Sequence, residues 1–525
     1  MLEKSSVQSQ ELASPDPGLN TNDVEISEGK GNDIRVLADS VDDNVKTTKD
    51  RKVVLIPQPS AGLTNPSTDD PDDPLNWTWA KKHFILASLI MPALLTDFGM
   101  AFGTVDFEQQ SVTWHMSVPA VAKSISGGIF MQGVGGLISV PFAIRYGRLP
   151  ILFWSQFLAC AMVIGSSLAP SYASFTVFRT LQGFFNTAPQ VIGLTIIHDI
   201  FFFHERTRKI NIWAFCVLVG PYLGPFLSSL ILSKLSWRSD FGILASIYGL
   251  SLLLIIVLSD ETLFNRTQNE PRPKKGILGK ILLLTGIHGT RQTSRPTLAS
   301  VLWHIVVIQI KPHILLTTAC FMMLLFMWVI GLVTTVPQFL FPPPYLFTPV
   351  QVGLLYLAPS IGSIIGEVWG HWFNDFNANR YIRHNAGSYC PENRLWGCYV
   401  SLVFSPVALV LFGQGIAHKL HWIVLAIAWA LYTIGQVSAT VAISAYLLDT
   451  CPKHSAIVSG ILNMWRTTGG FCVVYFQLKW VARNGAGTSF GVQAAILAAS
   501  SVSIVAVQLW GKRWRMKYPM PVADN

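Results

Sequence analysis

Two charged side chains in the first half of the chain stand inside long apolar runs, where they could move a proton. Asp97 follows Lys82 by 15 residues, which is about 22 Å along a helix that rises about 1.5 Å per residue. Arg179 stands in the apolar stretch FRTLQGF. Arginine stays protonated, so it keeps a nearby carboxylate ionised and allows that carboxylate to take up a proton once the two separate. An Asp and an Arg at one depth of a bilayer would therefore form a proton-coupling pair.

The two residues are expected at the same depth. Asp97 lies about 18 Å into a hydrocarbon core about 30 Å thick, and Arg179 lies about 12 Å below the outer surface of that core. We therefore predict that they approach each other; the alternative is a permanent ion pair that only helps the bundle fold. Glu367, near the cytoplasmic end of a later apolar run, is the third candidate for proton coupling. The alternative for Glu367 is a gate residue paired with loop arginines.

Helices that cross a membrane must carry these charges. The chain of 525 residues is 51% hydrophobic and only 13% charged, whereas soluble domains carry about 25% charged residues. Apolar runs of about 20 residues, the length that spans a bilayer, form two groups of six. The predicted spans are residues 83–105, 118–143, 150–169, 172–196, 210–232 and 238–258, then 313–336, 350–372, 395–413, 420–447, 456–478 and 488–510. The sequence therefore predicts an all-α polytopic membrane protein with twelve transmembrane helices.

The two groups of spans divide the chain into five regions. Residues 1–75 are rich in Ser, Asp, Asn, Pro and Gly without an apolar period, which is typical of a disordered segment, and we predict a disordered acidic N-terminal region over residues 1–82. The groups occupy residues 83–258 and 313–510, separated by a loop at 259–312 and followed by a basic tail at 511–525. The loop contains two apolar runs that are too short to cross, which we interpret as amphipathic helices at the membrane surface. A thirteenth span is the alternative for the second of these runs.

The distribution of charge predicts the orientation in the membrane. With a cytoplasmic N-terminus, the inner loops and the C-terminal tail hold 21 Lys and Arg residues and the outer loops hold six, an asymmetry that marks the inner side. Both termini and the 259–312 loop are therefore expected in the cytoplasm. The basic residues lie between apolar runs, which argues against nucleic-acid binding. The seven cysteines show neither a metal-ligand spacing with histidines nor a disulfide framework.

A second motif contains residues that a helix normally avoids. VLVGPYLGPFLSSLI contains Gly220, Pro221, Gly224 and Pro225. Glycines four residues apart let another helix approach closely, and proline removes a hydrogen bond and bends the helix. The motif predicts close packing with a bend in a helix that rearranges; a kink with no role beyond packing is the alternative.

A third motif, IRYGRLP, lies in the short loop between the second and third predicted spans. It places Arg145, Gly147 and Arg148 where the chain leaves the membrane. The simplest interpretation is charge that sets topology around a turn. His198 and Asp199, at the end of the fourth span, are interpreted as a solvated pair at a helix end rather than as a catalytic base.

Together, these motifs resemble the signatures of the major facilitator superfamily. IRYGRLP is similar to the superfamily's loop signature, although Ile144 replaces its acid. Arg179, Gln182 and Gly183 match an Arg-x-x-Gln-Gly pattern in which the arginine is associated with proton transfer. The glycine–proline motif resembles the span-five motif of the antiporter branches, which is thought to bend that helix and favour efflux. DPLNWTWAKK, WRSDF and SDETLFNR resemble fungal twelve-span drug:proton antiporters, including yeast polyamine and cation transporters and secondary-metabolite efflux pumps.

The resemblance implies the major facilitator fold, two six-helix bundles with a substrate site between them. It implies export of a small organic compound in exchange for protons, by a monomer in the plasma membrane that uses the proton gradient and no cofactor. Candidate cavity residues are aromatic or polar, each with lipid contact or core packing as its alternative: Trp328, Tyr356, Trp429, Tyr432, Gln436 and Trp465. A proton-coupled importer of polyamines, cations or other nutrients stays open. A membrane enzyme or sensor would need a catalytic cluster or a folded soluble domain.

Overall fold

The computed structural model describes residues 26–28, 34–36, 70–264, 276–290, 295–384 and 390–521. Two short strands, β1 (Ile26–Glu28) and β2 (Ile34–Val36), pair antiparallel. Pro74–Asn76 form a 3₁₀ turn, and the first long helix begins at Trp79 because the side chain of Thr78 caps it. The predicted disorder of residues 1–82 therefore does not hold for these segments, and its remainder lies outside the described residues.

The described residues beyond this leader are almost entirely helical. The first half contains α1 (Trp79–Ala101), α2 (Phe107–Trp114), α3 (Val118–Val121), α4 (Ser124–Tyr146), α5 (Arg148–Leu168), α6 (Tyr172–Asn186), α7 (Ala188–Ile200), α8 (Phe203–Leu232) and α9 (Trp237–Leu258). The middle loop contains α10 (Ile277–Thr285), α11 (Ile287–Thr290) and α12 (Leu298–Gln309). The second half contains α13 (Pro312–Leu315), a π-helical stretch (Leu316–Met322), α14 (Met323–Leu340), α15 (Pro349–Leu355), α16 (Leu357–His384), a 3₁₀ helix (Pro391–Gly397), α17 (Cys398–Ala417), α18 (Trp422–Thr450), a 3₁₀ turn (Pro452–His454), α19 (Ser455–Asn484) and α20 (Ala486–Lys517).

Each of the twelve predicted spans coincides with one of these helices or with consecutive ones. Ten spans in the described part of the chain are long and apolar enough to cross a membrane by length and composition. The fourth is divided between α6 and α7 around Thr187, and the eleventh, α19, has 30 residues but carries Asn463 and Arg466. These two spans are less apolar because they carry polar side chains into the centre of the molecule.

The helices form two bundles that meet along two contacts. Within the first bundle α1 packs on α8, α4 on α6, and α5 on both α6 and α9; within the second, α18 packs on α16 and α17, α14 on α19, and α17 on α20. The bundles touch where α4 lies against α19 and where α8 lies against α15 and α16. The span that contains α14 is 83% buried and that of α9 only 28%, so α14 lies centrally and α9 at the periphery.

Glycines on both sides form the contact between α4 and α19. A Cβ on Gly136 would come within 3.0 Å of the amide of Asn463, and a Cβ on Gly460 within 3.3 Å of Val140. A Cβ on Gly470 would come within 2.8 Å of the side chain of Ile330 and within 3.1 Å of that of Ile129. The two helices therefore approach each other closely here, with glycines of each helix facing side chains of the other. The rings of Phe130 on α4 and Phe471 on α19 also meet across this contact, at 5.1 Å between ring centres.

The middle loop forms helices, as predicted. α10 packs on α5, whereas α12 touches α4 of the first bundle and α19 of the second. With 12 residues, α12 is shorter than the roughly 20 residues that a span needs, which removes the thirteenth-span alternative. A location at the membrane surface stays a prediction.

The last helix extends past the predicted boundary at residue 510, as far as Lys517. Arg515 donates from Nε and Nη2 to the two carboxylate oxygens of Glu392, each at 2.8 Å. This bidentate pair ties the end of α20 to the 3₁₀ helix before α17.

Candidate functional site

Asp97 lies at the centre of the molecule, where the bundles meet, and only 5% of it is exposed. Its Oδ1 accepts a hydrogen bond from Gln132 Nε2 at 3.1 Å, and its Oδ2 accepts one from Gln190 Nε2 at 3.1 Å. Oδ2 also accepts from Arg466 Nη2 at 2.5 Å. The donors stand on α4, α7 and α19, so the ion pair with Arg466 joins the two bundles.

Arg466 is the functional candidate that sequence reasoning missed. It is 5% exposed, and its guanidinium carbon lies 4.3 Å from the centre of the Phe326 ring. Its buried Nε has no acceptor among the described residues. A buried carboxylate needs a paired charge and hydrogen bonds, and Arg466 supplies both to Asp97. Its signal was present in the sequence, because an arginine inside a predicted span is functional by default.

Arg179 does not pair with Asp97, contrary to the sequence prediction. Its guanidinium donates to the carbonyl oxygens of Gly99 at 2.8 Å and Met100 at 2.6 Å, and to Oε1 of Gln182 at 2.8 Å. These carbonyls end α1, and a cation beside such carbonyls stabilises a helix C-terminus. The depth estimate was compatible with contact, but Arg179 projects to the end of α1 and not to the face that carries Asp97.

The glycines of the predicted packing motifs do lie at close helix contacts. A Cβ on Gly224 would come within 2.5 Å of the Phe98 carbonyl oxygen, and one on Gly220 within 3.0 Å of the Leu94 carbonyl oxygen. α8 is thereby pressed against α1, and the helix continues through Pro221 and Pro225. A Cβ on Gly183 would collide with the backbone of Gly128, where α6 crosses α4. The predicted rearrangement of α8 stays a prediction.

A small cavity of about 10 Å³ adjoins Asp97. It is lined by residues of both bundles: Asp97, Met100, Ala101, Ile125, Ile129, Gln132, Pro221, Ile330, Val333 and Thr334. About 10–15 Å³ on this scale holds one water molecule. The space beside Asp97 in this structure therefore holds little more than one water molecule.

The predicted cavity aromatics are buried beside this centre or within the second bundle. Trp429 stacks edge-on with Tyr356 at 4.8 Å between ring centres and reaches Tyr222 of α8 at 6.2 Å. Tyr356 and Tyr432 donate their hydroxyls to backbone carbonyls, at 2.5 and 2.6 Å. These three rings are too deeply buried to contact lipid. Core packing and contact with substrate are therefore the two roles that stay open for them.

The other three predicted cavity residues are more scattered. Trp328 is fully buried and packs on Phe476 at 6.3 Å between ring centres, and Gln436 donates to Thr440 at 3.3 Å. Trp465 is only partly buried. The indole nitrogens of Trp328 and Trp465 have no acceptor among the described residues.

Among the described side chains, Glu367 pairs with a histidine and not with a loop arginine. Oε1 of Glu367 lies 2.6 Å from Nε2 of His371, one turn further along α16. The carboxylate is 6% exposed and stands on the helix that packs against α8 of the first bundle. The partner of Glu367 is therefore a histidine of its own helix, whereas the alternative of a gate residue required a loop arginine.

The IRYGRLP loop is held by acids from elsewhere in the chain. Glu261, after α9, accepts the backbone N–H of Arg148 at 2.9 Å, and the side chain of Arg148 donates to Asp199 at 3.1 Å. Gly147 has φ +115°, which an L side chain rarely adopts, and Arg145 donates to the carbonyl of Arg295 at 2.7 Å. Asp199 is therefore an ion-pair partner rather than part of a solvated pair with His198.

Glu261 is an acid beside this loop, in which Ile144 stands at the position of the superfamily's acid. Burial raises the pKa of Glu261, although the backbone donors and Arg148 oppose that shift. The carboxylate sits at the N-terminus of α5, where the helix dipole favours an anion.

A buried carboxyl pair lies at the other end of the first bundle. Ser228 Oγ donates to Asp240 Oδ2 at 2.7 Å and lies 3.3 Å from Asp106 Oδ1. A hydroxyl carries one proton, so both contacts are hydrogen bonds only when a carboxyl group is protonated. Burial and the neighbouring Asp240 raise the pKa of Asp106 well above its usual range. The described residues contain no group of three His, Cys, Asp or Glu side chains that could hold a metal ion.

Two helical bundles of membrane-spanning length, with a buried ion pair between them, have the architecture of a polytopic membrane transporter. The family model of the Major Facilitator Superfamily matches residues 83–473. The chain belongs to the major facilitator superfamily, and its fold is the all-α major facilitator fold that the sequence predicted.

Known transporters are similar to the chain over most of their length. The uncharacterized transporter mfc1 of Schizosaccharomyces pombe is 27% identical, over 76% of this chain and 84% of the relative. The MFS-type transporter penM of Penicillium rubens is 25% identical, over 85% of this chain and 88% of the relative. Because these relatives are transporters, the alternative of a membrane enzyme is excluded.

Solved structures share the fold. The xylose transporter XylE from E. coli superposes with a TM-score of 0.59 at 13% identity, covering 82% of this chain and 98% of that one. The human organic anion transporter MFSD10 superposes with a TM-score of 0.51 at 14% identity, covering 81% and 99%.

Proposed function

We propose that the protein exports a small organic compound, drug-like or a secondary metabolite, by proton antiport, with the proton gradient as its energy source and no cofactor. The observation that carries this proposal is the buried ion pair between Asp97 and Arg466, which joins the two bundles. In this fold the bundles rock about a central site, so opening to either side draws Arg466 away from Asp97. A buried carboxylate that loses its cationic partner takes up a proton more readily.

The other candidate residues have supporting roles in this proposal. Arg179 and Gln182 hold the end of α1, and therefore the direction in which Asp97 points. Glu367, with His371, offers a second titratable pair on α16. The buried aromatics around Trp429 would surround the apolar part of a substrate once the centre opens.

Sealed vesicles that contain the protein and carry an imposed pH gradient test this function against a panel of compounds. For an exporter, inside-out vesicles with an acidic lumen should accumulate substrate and lose protons. Vesicles that contain the Asp97→Asn variant serve as the control. Accumulation only when the proton gradient is reversed would establish the importer.

We also propose that the protein is a monomer in the plasma membrane. Both of its termini and the 259–312 loop would face the cytoplasm. The ratio of 21 inner to six outer basic residues supports this orientation. In intact cells, an impermeant thiol reagent should label Val112→Cys on α2 and spare Thr285→Cys on α10 until the membrane is permeabilised. Labelling of Thr285→Cys in intact cells would reverse the orientation, and light scattering of the purified protein would check its monomeric mass.

A further inference from the structure

We infer that α12 and the end of α20 together form a docking surface for anionic phospholipid. In this surface the outward face of α12 contacts acyl chains, and three basic residues of α20 bind the headgroups. The surface is separate from the central ion pair, and the proposed function does not use it. The inference follows from the two faces of α12, its level in the molecule and the charges beside it.

α12 is apolar on two opposite faces. With about 3.6 residues per turn, Val301, Ile305 and Ile308 fall on one side of the helix, where they are buried and where α12 packs on α4 and α19. The opposite side carries apolar residues that are 48–67% exposed: Leu302, Trp303 and Val306 of α12 and Ile310 directly after it. The sequence of α12, LASVLWHIVVIQ, contains no Asp, Glu, Lys or Arg.

A helix that is apolar all round is surrounded either by protein or by lipid. The described residues of the chain cover one face of α12 and leave the other exposed. The exposed face therefore calls for an apolar partner, and acyl chains of the bilayer are the apolar medium next to a membrane protein.

α12 lies at the level where membrane-spanning segments begin and end. The seventh span begins at Pro312, three residues after the last residue of α12. Between them, Lys311 donates from Nζ to the carbonyl oxygens of Tyr518 at 3.1 Å and Pro519 at 2.5 Å, which directly follow α20. The start of the seventh span and the end of the twelfth therefore meet beside α12. Helices at this level sink about 5–10 Å into the boundary between headgroups and acyl chains.

The exposed side of α20 changes from apolar to basic near its end. Leu509 and Met516 are exposed on one side of the helix, and Lys512, Arg513 and Lys517 are exposed on that same side. Among the described residues, none of these three cations forms an ion pair with a carboxylate. They continue the lipid-facing side of α20 to the level of the headgroups.

Arg515 shows that the end of α20 has two different sides. It points inward and holds both carboxylate oxygens of Glu392. The acid that lies at this end of α20 is thereby already neutralised, and it does not compensate the outward cations. An anion from outside the chain is what complements them.

Anionic phospholipid fits both parts of the surface. A zwitterionic lipid would cover the face of α12 but would bring no net charge to the three cations. A soluble anion such as phosphate would pair with the cations but would leave the apolar face of α12 in water. Basic residues at the edge of a membrane attract anionic lipid within about a Debye length, which is about 8 Å at physiological salt. With the proposed orientation, the surface faces the cytoplasmic leaflet, which carries such lipids.

The position of α12 gives lipid binding a consequence for the bundles. α12 touches α4 of the first bundle and α19 of the second. Lipid that holds α12 in this position stabilises the arrangement in which it bridges the bundles, because a ligand stabilises the state that it binds.

Melting of the full-length protein in lipid nanodiscs tests the charge part of the inference. The discs contain phosphatidylcholine alone or an equimolar mixture of phosphatidylcholine and phosphatidylserine. We expect a higher melting temperature in the mixed discs, and a difference that shrinks as salt is added, because salt screens the attraction. The triple variant Lys512→Gln, Arg513→Gln and Lys517→Gln should lose most of this difference.

A matched triple variant controls for the loss of charge itself. Lys234→Gln, Lys479→Gln and Arg483→Gln remove the same charge from exposed residues at the opposite ends of the spans. This control should keep the difference between the two kinds of disc.

Photo-crosslinking identifies the occupant of the apolar face. A benzophenone derivative of phenylalanine at position 303, in place of the exposed Trp303, should crosslink to lipid in the mixed discs. Mass spectrometry of the adducts should show several-fold more phosphatidylserine than phosphatidylcholine, and the triple variant of α20 should lose this preference. The same probe in place of Leu253, which is exposed on the peripheral helix α9, should crosslink to both lipids equally.

Four results would overturn the inference. They are equal melting temperatures in the two kinds of disc, the same loss in both triple variants, the same stabilisation by inorganic phosphate added to phosphatidylcholine discs, or crosslinks from position 303 without a preference for phosphatidylserine. Crosslinks from position 303 to another protein and to no lipid, in native membranes, would instead make this face a protein-docking surface. These measurements use neither a pH gradient nor a substrate, so their failure is distinct from a failure of proton-driven export.

Discussion

Asp97→Asn is expected to abolish transport driven by a pH gradient, bringing accumulation in vesicles to the level of vesicles without the protein. The carboxamide cannot exchange a proton in the physiological range, and it no longer offers a charge to Arg466. Removing one partner of a buried ion pair costs about 3–5 kcal/mol of stability, so the melting temperature should fall as well. Both quantities are measured on the purified, reconstituted variant.

A matched double variant separates coupling from folding. Asp97→Asn combined with Arg466→Gln removes both charges, and we expect it to recover most of the lost melting temperature while transport stays at background. Restored pH-driven transport in the double variant would mean that Asp97 serves only the stability of the bundle. Full coupling in Asp97→Asn itself would exclude Asp97 and leave Glu367 as the proton-carrying acid.

Gly224→Leu is expected to abolish transport because α8 can no longer lie against α1. Even the methyl group of Gly224→Ala would come within 2.5 Å of the Phe98 carbonyl oxygen, whereas at Gly220 the nearest backbone atoms are 3.0 Å away. We therefore expect a graded loss of melting temperature and transport rate: small for Gly220→Ala, larger for Gly224→Ala and complete loss of transport for Gly224→Leu. Overpacking of this kind typically costs about 1–3 kcal/mol.

The chain offers a matched control at Gly249 of the peripheral helix α9. A Cβ there would meet no atom within 4 Å, so Gly249→Ala should leave transport unchanged and keep the melting temperature or raise it slightly. If Gly224→Ala behaves like Gly249→Ala, the close approach of α8 to α1 has no part in the transport cycle.

The sequence predicted the helices well because membrane length and hydropathy are properties of single segments. All twelve spans and the helices of the middle loop follow from apolar runs of a given length. The same reasoning placed Asp97 and Arg179 at matching depths. It could not predict the direction in which each side chain projects from its helix. Arg179 projects toward the end of α1, and for that reason it does not meet Asp97.

Contacts between distant segments were beyond the reach of the sequence. Nothing near Asp97 in the chain points to Arg466, which follows 369 positions later, and nothing near Ile144 points to Glu261. Both contacts arise only when bundles or loops pack together. The aromatic residues were chosen by type and predicted span, which does not determine which rings meet. Among the described ring contacts, Tyr356 and Trp429 are the predicted pair whose rings pack on each other.

The glycine-built contact between α4 and α19 has a kinetic consequence. Helices that interlock through large side chains must repack those side chains before they can turn against each other. Here many of the contacts set a glycine against a side chain of the opposite helix, which leaves fewer large side chains to repack. Polar bonds also cross the interface: Asp97 to Arg466 in the centre, the Asn463 amide to the Gln132 carbonyl oxygen at 3.3 Å, and Ser126 to Tyr475 at 2.9 Å near one end. These bonds must break before the bundles can rock. We therefore expect the turnover rate to depend on the solvent hydrogen isotope and on pH.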